Sequence, residues 1–214
     1  MRRKCSKTSN ENGMNQNAIG SGLLLVLSGP SGVGKGTVVE ALKKVCPERL
    51  GRSIAVSVSK TTRKPRPGEL EGVHYYFTDR DSFLNGVSNN LFLEYAEYAG
   101  NLYGTPRDMI EKKTAEGAIV VLDIDTQGAF QVRSRMPEAL LVFLLPPSME
   151  ELEQRLRRRG TETEEAILKR LSLAAKECEL AAQFDAKVYN RNVTDAALEI
   201  CELIENRLNA GQTK

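Results

Sequence analysis

Residues 23–27, Leu-Leu-Leu-Val-Leu, form an unbroken apolar run that leads into glycines. So short a run with no polar face predicts a strand buried on both sides in a parallel sheet. Residues 37–45 then read as a helix. Residues 53–59 alternate Ile54, Val56 and Val58 with small polar side chains, whereas 119–124 and 140–145 are apolar almost throughout. Strands therefore recur between helical segments, the pattern of an α/β fold. Thr105-Pro106-Arg107-Asp108 predicts a helix start, with Thr105 as N-cap and proline in the first turn. Ser148-Met149-Glu150-Glu151 has the spacing of a capping box, and an amphipathic helix over 194–208 closes the pattern.

Two segments break the alternation. Between about 60 and 104 a Pro/Gly-rich stretch is followed by Tyr75-Tyr76-Phe77 and by residues 92–98, which read as short antiparallel strands of an inserted subdomain. Over 155–170, arginines bracket the polar run Thr161-Glu162-Thr163-Glu164-Glu165. That composition between two helices fits a mobile lid.

The strongest chemical signal is Gly29-Pro30-Ser31-Gly32-Val33-Gly34-Lys35-Gly36-Thr37, lying between the first strand and the first helix. Glycines at this spacing let backbone N–H groups curl around phosphate oxygens, the helix N-terminus adds its dipole, and Lys35 supplies a full charge. The segment is a P-loop for a nucleoside triphosphate. Gly36 stands where a Ser or Thr hydroxyl would normally touch Mg²⁺, and Thr37 follows one place later.

Composition narrows the remaining classes. With 214 residues, 41% of them hydrophobic, one catalytic unit is the default. Thirty Lys and Arg nearly balance 28 Asp and Glu, for a net charge of +2, so no nucleic-acid partner is indicated. The longest apolar runs, 23–27 and 139–145, fall far short of the roughly 20 residues a membrane helix needs. Cys5, Cys46, Cys178 and Cys201 are scattered and His74 is the single histidine, which excludes a zinc cluster and a His-based triad. Reduced thiols point to the cytoplasm. Residues 1–21 are rich in Ser, Asn, Lys and Arg and read as a disordered tail, with a transit peptide as the rival reading and Met14 as an alternative start.

Ser57-Val58-Ser59-Lys60-Thr61-Thr62-Arg63-Lys64-Pro65-Arg66-Pro67-Gly68-Glu69 followed by Gly72-Val73-His74-Tyr75-Tyr76-Phe77 resembles the signature of guanylate kinases. The resemblance continues through Phe92-Leu93-Glu94-Tyr95-Ala96, Gly100-Asn101-Leu102-Tyr103-Gly104-Thr105, Leu122-Asp123-Ile124-Asp125-Thr126-Gln127-Gly128 and Arg159-Gly160-Thr161-Glu162. It covers essentially everything after residue 22.

The resemblance implies a P-loop NTPase-type parallel sheet flanked by helices, an inserted small mixed α/β GMP-binding subdomain and a helical lid. The divisions expected are a tail over 1–21, a kinase domain over 22–206 and a C-terminal tail over 207–214. Within the domain, 22–59, 105–154 and 171–206 make the core, 60–104 the GMP-binding subdomain and 155–170 the lid. The implied reaction is ATP plus GMP, with dGMP as a further expected acceptor, giving ADP plus GDP for purine nucleotide metabolism. Mg²⁺ is the implied cofactor. The expected partners are these small molecules, without nucleic acid or membrane, for a monomer or homodimer.

Residue roles follow by matching motifs. Residues Gly29 to Thr37, Arg155, Arg159 and Asn190 match ATP-binding positions, and Lys35, Arg159 and Arg170 match the groups that stabilise the moving phosphoryl. Arg63, Arg66, Tyr75 and Tyr103 match the GMP phosphate site; forked guanidinium bonds suit a phosphate dianion. Ser59, Glu94, Thr105 and Asp125 match base contacts. Guanine presents N1–H beside an exocyclic amine, so a carboxylate accepts from both, and adenine lacks that donor pair. No direct metal ligand is assigned; Asp123 would act through water. Arg191 and Asn192 stand where the family has two acids, which weakens the Asn190 assignment.

Two other readings compete. Guanylate-kinase-like scaffolding domains keep the fold but lose the P-loop, which the intact Gly34 and Lys35 disfavour. A small-molecule kinase for another acceptor, such as a sugar phosphate, is disfavoured by Glu94 and Asp125 in guanine-reading contexts.

Overall fold

The computed structural model describes residues 22–158 and 163–211. The readings of 1–21 as a tail, of 212–214, and of Arg159 and its neighbours through Glu162 as lid residues lie outside the described residues. Five parallel strands make the main sheet: β1 (Leu23–Ser28), β2 (Ile54–Val56), β7 (Ile119–Asp123), β8 (Leu140–Leu145) and β9 (Ala186–Tyr189), in the order β2-β7-β1-β8-β9. β1 is central and buried along its whole length, which is why its sequence has no polar face.

Alternation along the strands divides the core in two. Leu23, Leu25 and Leu27 pack with α1 (Lys35–Leu50) and α7 (Val193–Gly211) on one face. Leu24 and Val26 pack on the other with Ile110 of α3 (Arg107–Ala115) and Ala129 and Val132 of α4 (Thr126–Arg135). At about 1.5–3 kcal/mol for each large apolar side chain taken fully from water, these two layers hold the C-terminal edge of the sheet rigid. Ligands bind at that edge in open α/β sheets.

A second sheet, β4-β3-β6-β5, comprises β3 (Lys60–Thr61), β4 (Tyr76–Phe77), β5 (Phe92–Tyr98) and β6 (Asn101–Pro106). The antiparallel expectation holds for β5 with β6 but not for β4, which pairs parallel with β3. The segment 62–75 is long enough to act as a crossover, the connection parallel neighbours require. α2 (Arg80–Ser88), capped by Asp79, packs Phe83 against Phe92 at 4.5 Å between ring centroids, giving this unit a small core of its own.

Three boundaries differ from the sequence reading. α1 continues past 45, over Pro47, and stops at Gly51, whose positive φ lets its N–H reach the Pro47 carbonyl. Thr105 is a residue of β6 and not an N-cap; Pro106 holds its predecessor extended, so the strand persists up to the helix. α7 runs to Gly211, three residues beyond its expected end, with Leu208 packed on the core.

The lid segment contains the end of α5 (Met149–Arg158) and the start of α6 (Glu164–Glu179). Ser148 Oγ accepts from the Glu151 N–H at 3.2 Å, half of the expected capping box; the Glu151 carboxylate pairs instead with Arg155 at 3.2 Å. Arg157 bridges Glu153 on its own helix and Glu164 on α6. Leu152, Leu156, Ile167 and Ala174 pack the two helices together.

Candidate active site

The P-loop leaves β1 at the ligand edge and enters α1. Gly29 (φ 147°) passes so close to β8 that a Cβ would lie 2.4 Å from the Leu144 carbonyl oxygen. Gly34 (φ 99°) combines a left-handed backbone with a Cβ position 2.7 Å from Asn190 Nδ2, so no side chain fits there. Val33 between them is fully buried and pins the loop to the core.

Its carbonyl is held twice. Asn190 Nδ2 donates to Val33 O at 2.8 Å and Arg155 Nη1 at 3.2 Å, while Arg155 Nη2 donates to Asn190 O at 3.0 Å. Asn190 is itself buried. Both residues matched nucleotide-binding positions in the sequence, and here these donors secure the loop that carries Lys35. Lys35 Nζ donates to Gly29 O at 2.7 Å and lies 3.9 Å from the Asp123 carboxylate. Partial burial raises the Asp123 pKa, and Lys35 opposes the rise.

A second cluster sits on the small sheet. Arg63 Nη2 donates to Glu69 at 2.8 Å and the guanidinium lies 5.4 Å from the centre of the Tyr75 ring, which meets Tyr103 edge-on at 5.9 Å. The hydrogen bond to Glu69, followed by one to Tyr103, raises the Arg63 pKa further above its usual range. The hydrogen bond from Arg63, together with the Arg66 N–H at 2.8 Å, holds the Glu69 carboxyl at about 2. Three of the four predicted phosphate-site side chains therefore converge. The Arg66 side chain is exposed, and its backbone alone joins the cluster. Glu69 orients Arg63, a role its place in the motif does not reveal.

The third cluster lies between the sheets. Glu94 is buried, and Thr105 Oγ1 donates to its Oε1 at 2.6 Å. Burial raises its pKa above the carboxylate range, the Thr105 bond opposes this, and Asp125 adds to the rise. Asp125 caps α4, Oδ1 accepting from the Gly128 N–H at 2.8 Å. β7 pairs with β1 so that Asp123 stands opposite Leu27, which sets Asp123 beside the P-loop and Asp125 beside Glu94. Ser59 gives its carbonyl to the Tyr76 N–H at 2.9 Å and so joins β3 to β4. Arg170 lies half-buried on α6.

Sequence reasoning missed Glu177. This α6 carboxyl has its pKa raised by burial and feels both Lys35, which lowers it, and Asp125, which raises it. It therefore lies near both the P-loop lysine and Asp125 of the third cluster, and no local motif signals it. Among the described residues no group of three or more His, Cys, Asp or Glu side chains forms a metal cluster. None of the described helices is long and apolar enough to cross a membrane.

A family model described as "Guanylate kinase" matches residues 21–207. The chain belongs to the guanylate kinase family. Its curated relatives include a guanylate kinase of Desulfitobacterium hafniense, 48% identical over 80% of this chain and 84% of that one. Another, from Prochlorococcus marinus, is 48% identical over 85% of this chain and 96% of its own length. Among solved structures, the guanylate kinase of Anaplasma phagocytophilum superposes with a TM-score of 0.65 at 37% identity, covering 91% of this chain and 88% of that one. The guanylate kinase family match thus spans all three clusters.

Proposed function

We propose that this chain transfers the γ-phosphoryl group of ATP to GMP, giving ADP and GDP, with the P-loop holding the donor and the second and third clusters holding the acceptor. The observation that carries this reading is the spacing on β7: Asp123 faces Lys35 of the P-loop and Asp125, two residues on, caps the helix that abuts Glu94. One strand end thus joins the triphosphate site to a carboxylate pair suited to guanine.

Arg63, Tyr75 and Tyr103 bind the acceptor phosphate, with Glu69 holding the guanidinium ready. The exposed Arg66 side chain turns inward to complete the clamp when the phosphate binds. Glu94 accepts from guanine N1–H and the exocyclic amine, and Asp125, Ser59 and Thr105 add contacts at the base edge. The acceptor oxygen attacks the γ-phosphorus in line, without a covalent enzyme intermediate. Lys35 leaves the Gly29 carbonyl for the β and γ oxygens and stabilises the spreading charge, with Arg159 and Arg170 from the lid. The Arg155 and Asn190 bonds to Val33 keep the loop amides aimed at the phosphates.

The donors beside the loop are hard oxygens, the Thr37 hydroxyl and the Asp123 carboxylate, which fit Mg²⁺ held chiefly by phosphate and water. Magnesium bound with ATP would supply neutralisation of the triphosphate's charge. Gly36 leaves open space at the usual ligand position, since a Cβ there meets nothing within 4 Å. Asp123 then acts through water. The buried thiols of Cys46 and Cys201 suit the reducing cytoplasm.

Arg63→Ala tests the acceptor site. Its KM for GMP is expected to rise about 30-fold through the loss of charge-assisted bonds to the phosphate, with the KM for ATP unchanged. Steady-state kinetics with each substrate varied measures both, and an unchanged GMP KM contradicts the assignment.

A further inference from the structure

β5 is an edge strand of the small sheet, so one side of its backbone has no strand partner. α4 supplies partners from its side chains. The Tyr95 N–H donates to Gln131 Oε1 at 3.2 Å and Gln131 Nε2 donates back to Tyr95 O at 2.9 Å. Arg135 Nη1 donates to Leu93 O at 2.7 Å and to Phe92 O at 3.1 Å. Its guanidinium lies 5.9 Å from the centre of the Tyr95 ring.

These bonds grip the residues on both sides of Glu94. The β5–β6 register shifts between Phe92 and Glu94, an irregularity that interrupts the ladder beside the carboxylate. Arg135 satisfies carbonyls at that interruption, and Gln131 fixes the next residue after it. Gly128, Gln131 and Arg135 are spaced three and four apart and share one face of α4. A Cβ at Gly128 would lie 3.0 Å from Glu94 Oε2, so this face comes up against the carboxylate itself. The same helix is capped by Asp125.

We infer that Gln131 and Arg135 are positioning residues for acceptor selectivity, using α4 as a jig that sets Glu94 against Asp125. The inference rests on the base-reading role given to Glu94 above. Arg135 contributes electrostatically as well, since its charge favours the ionised Glu94 carboxylate. Neither residue touches the acceptor; each acts through the β5 backbone.

Gln131→Ala and Arg135→Ala in the full chain both keep α4 helical, because alanine is the better helix former. Each is expected to raise the KM for GMP about tenfold and to lower the GMP-to-AMP ratio of kcat/KM about tenfold, leaving the KM for ATP unchanged. Misplacing a recognition group by about 1 Å has effects of this order or larger. Arg135→Lys, which retains a donor for one carbonyl, is expected to recover part of the ratio. In a Glu94→Gln background neither alanine substitution should lower the ratio further.

Thermal unfolding of every variant separates lost folding from lost positioning. An unchanged ratio in both alanine variants, or the same tenfold loss in the Glu94→Gln background, overturns the inference while leaving the base-reading role standing. If Glu94→Gln alone keeps full preference for GMP over AMP, the base-reading role fails and this inference fails with it.

Discussion

Lys35→Ala is expected to lower kcat on the order of 10³-fold while the protein remains folded. The ammonium is the one full positive charge that the P-loop itself carries, and in the resting structure it bonds to Gly29 O and lies close to Asp123. Phosphoryl transfer has little covalent chemistry for a protein to assist, so removing a charge aimed at the γ-phosphoryl acts on the transition state. Alanine suits the first turn of α1, and the loop remains anchored through Val33. Single-turnover transfer and thermal unfolding check the two halves of this statement. A loss confined to KM for ATP would make Lys35 a ground-state binding group only.

Glu94→Gln is expected to lower kcat/KM for GMP on the order of 10²-fold and to raise stability at neutral pH. An amide offers one acceptor where guanine presents two donors, and its own N–H faces them; charged hydrogen bonds lost in this way cost about 1.5–3 kcal/mol each. Stability moves the other way. Burial raises the Glu94 pKa in the folded chain, so the folded state favours the neutral acid and loses stability as pH rises through that value. A neutral isostere removes that loss.

Activity has the opposite sign to stability. The ionised carboxylate binds guanine, so acceptance of GMP is full above the raised pKa and declines as pH falls through it. The ratio of wild-type to Glu94→Gln kcat/KM cancels the titration of the GMP phosphate. It should fall towards acid pH, beginning above the ordinary carboxylate range. A ratio flat with pH would mean that Glu94 does not bind as a carboxylate.

What could be read from sequence was what local chemistry dictates. The β1 run has no polar position because both its faces and both its edges are covered, and Gly29, Gly32 and Gly34 of the P-loop are required by backbone conformations that side chains exclude. The last part of α1 was illegible because Pro47 ordinarily ends a helix, whereas here the helix runs on to Leu50 and closes at Gly51. The parallel pairing of β4 was hidden because short strands carry no signal of direction. Thr105 looked like an N-cap by type, yet its hydroxyl serves Glu94 across β5 and β6.

The site was legible where residues cluster in one motif, as with Arg63, Tyr75 and the P-loop. It was illegible where the partner is remote. Gln131 and Tyr95 are 36 positions apart, and Asn190 and Val33 are 157 apart; nothing in either neighbourhood announces the other. Glu177 belongs to the same class, an ordinary helix carboxylate until the fold sets it near Lys35 and Asp125.

The central claim is the choice of acceptor, and the direct measurement is ADP release by the purified chain with MgATP and, in turn, GMP, AMP, UMP and a sugar phosphate. The account predicts turnover with GMP and a kcat/KM for AMP lower on the order of 10⁴-fold, as expected of a site whose buried carboxylate is left unpaired by the wrong base. Equal or better turnover with AMP, UMP or the sugar phosphate would contradict it.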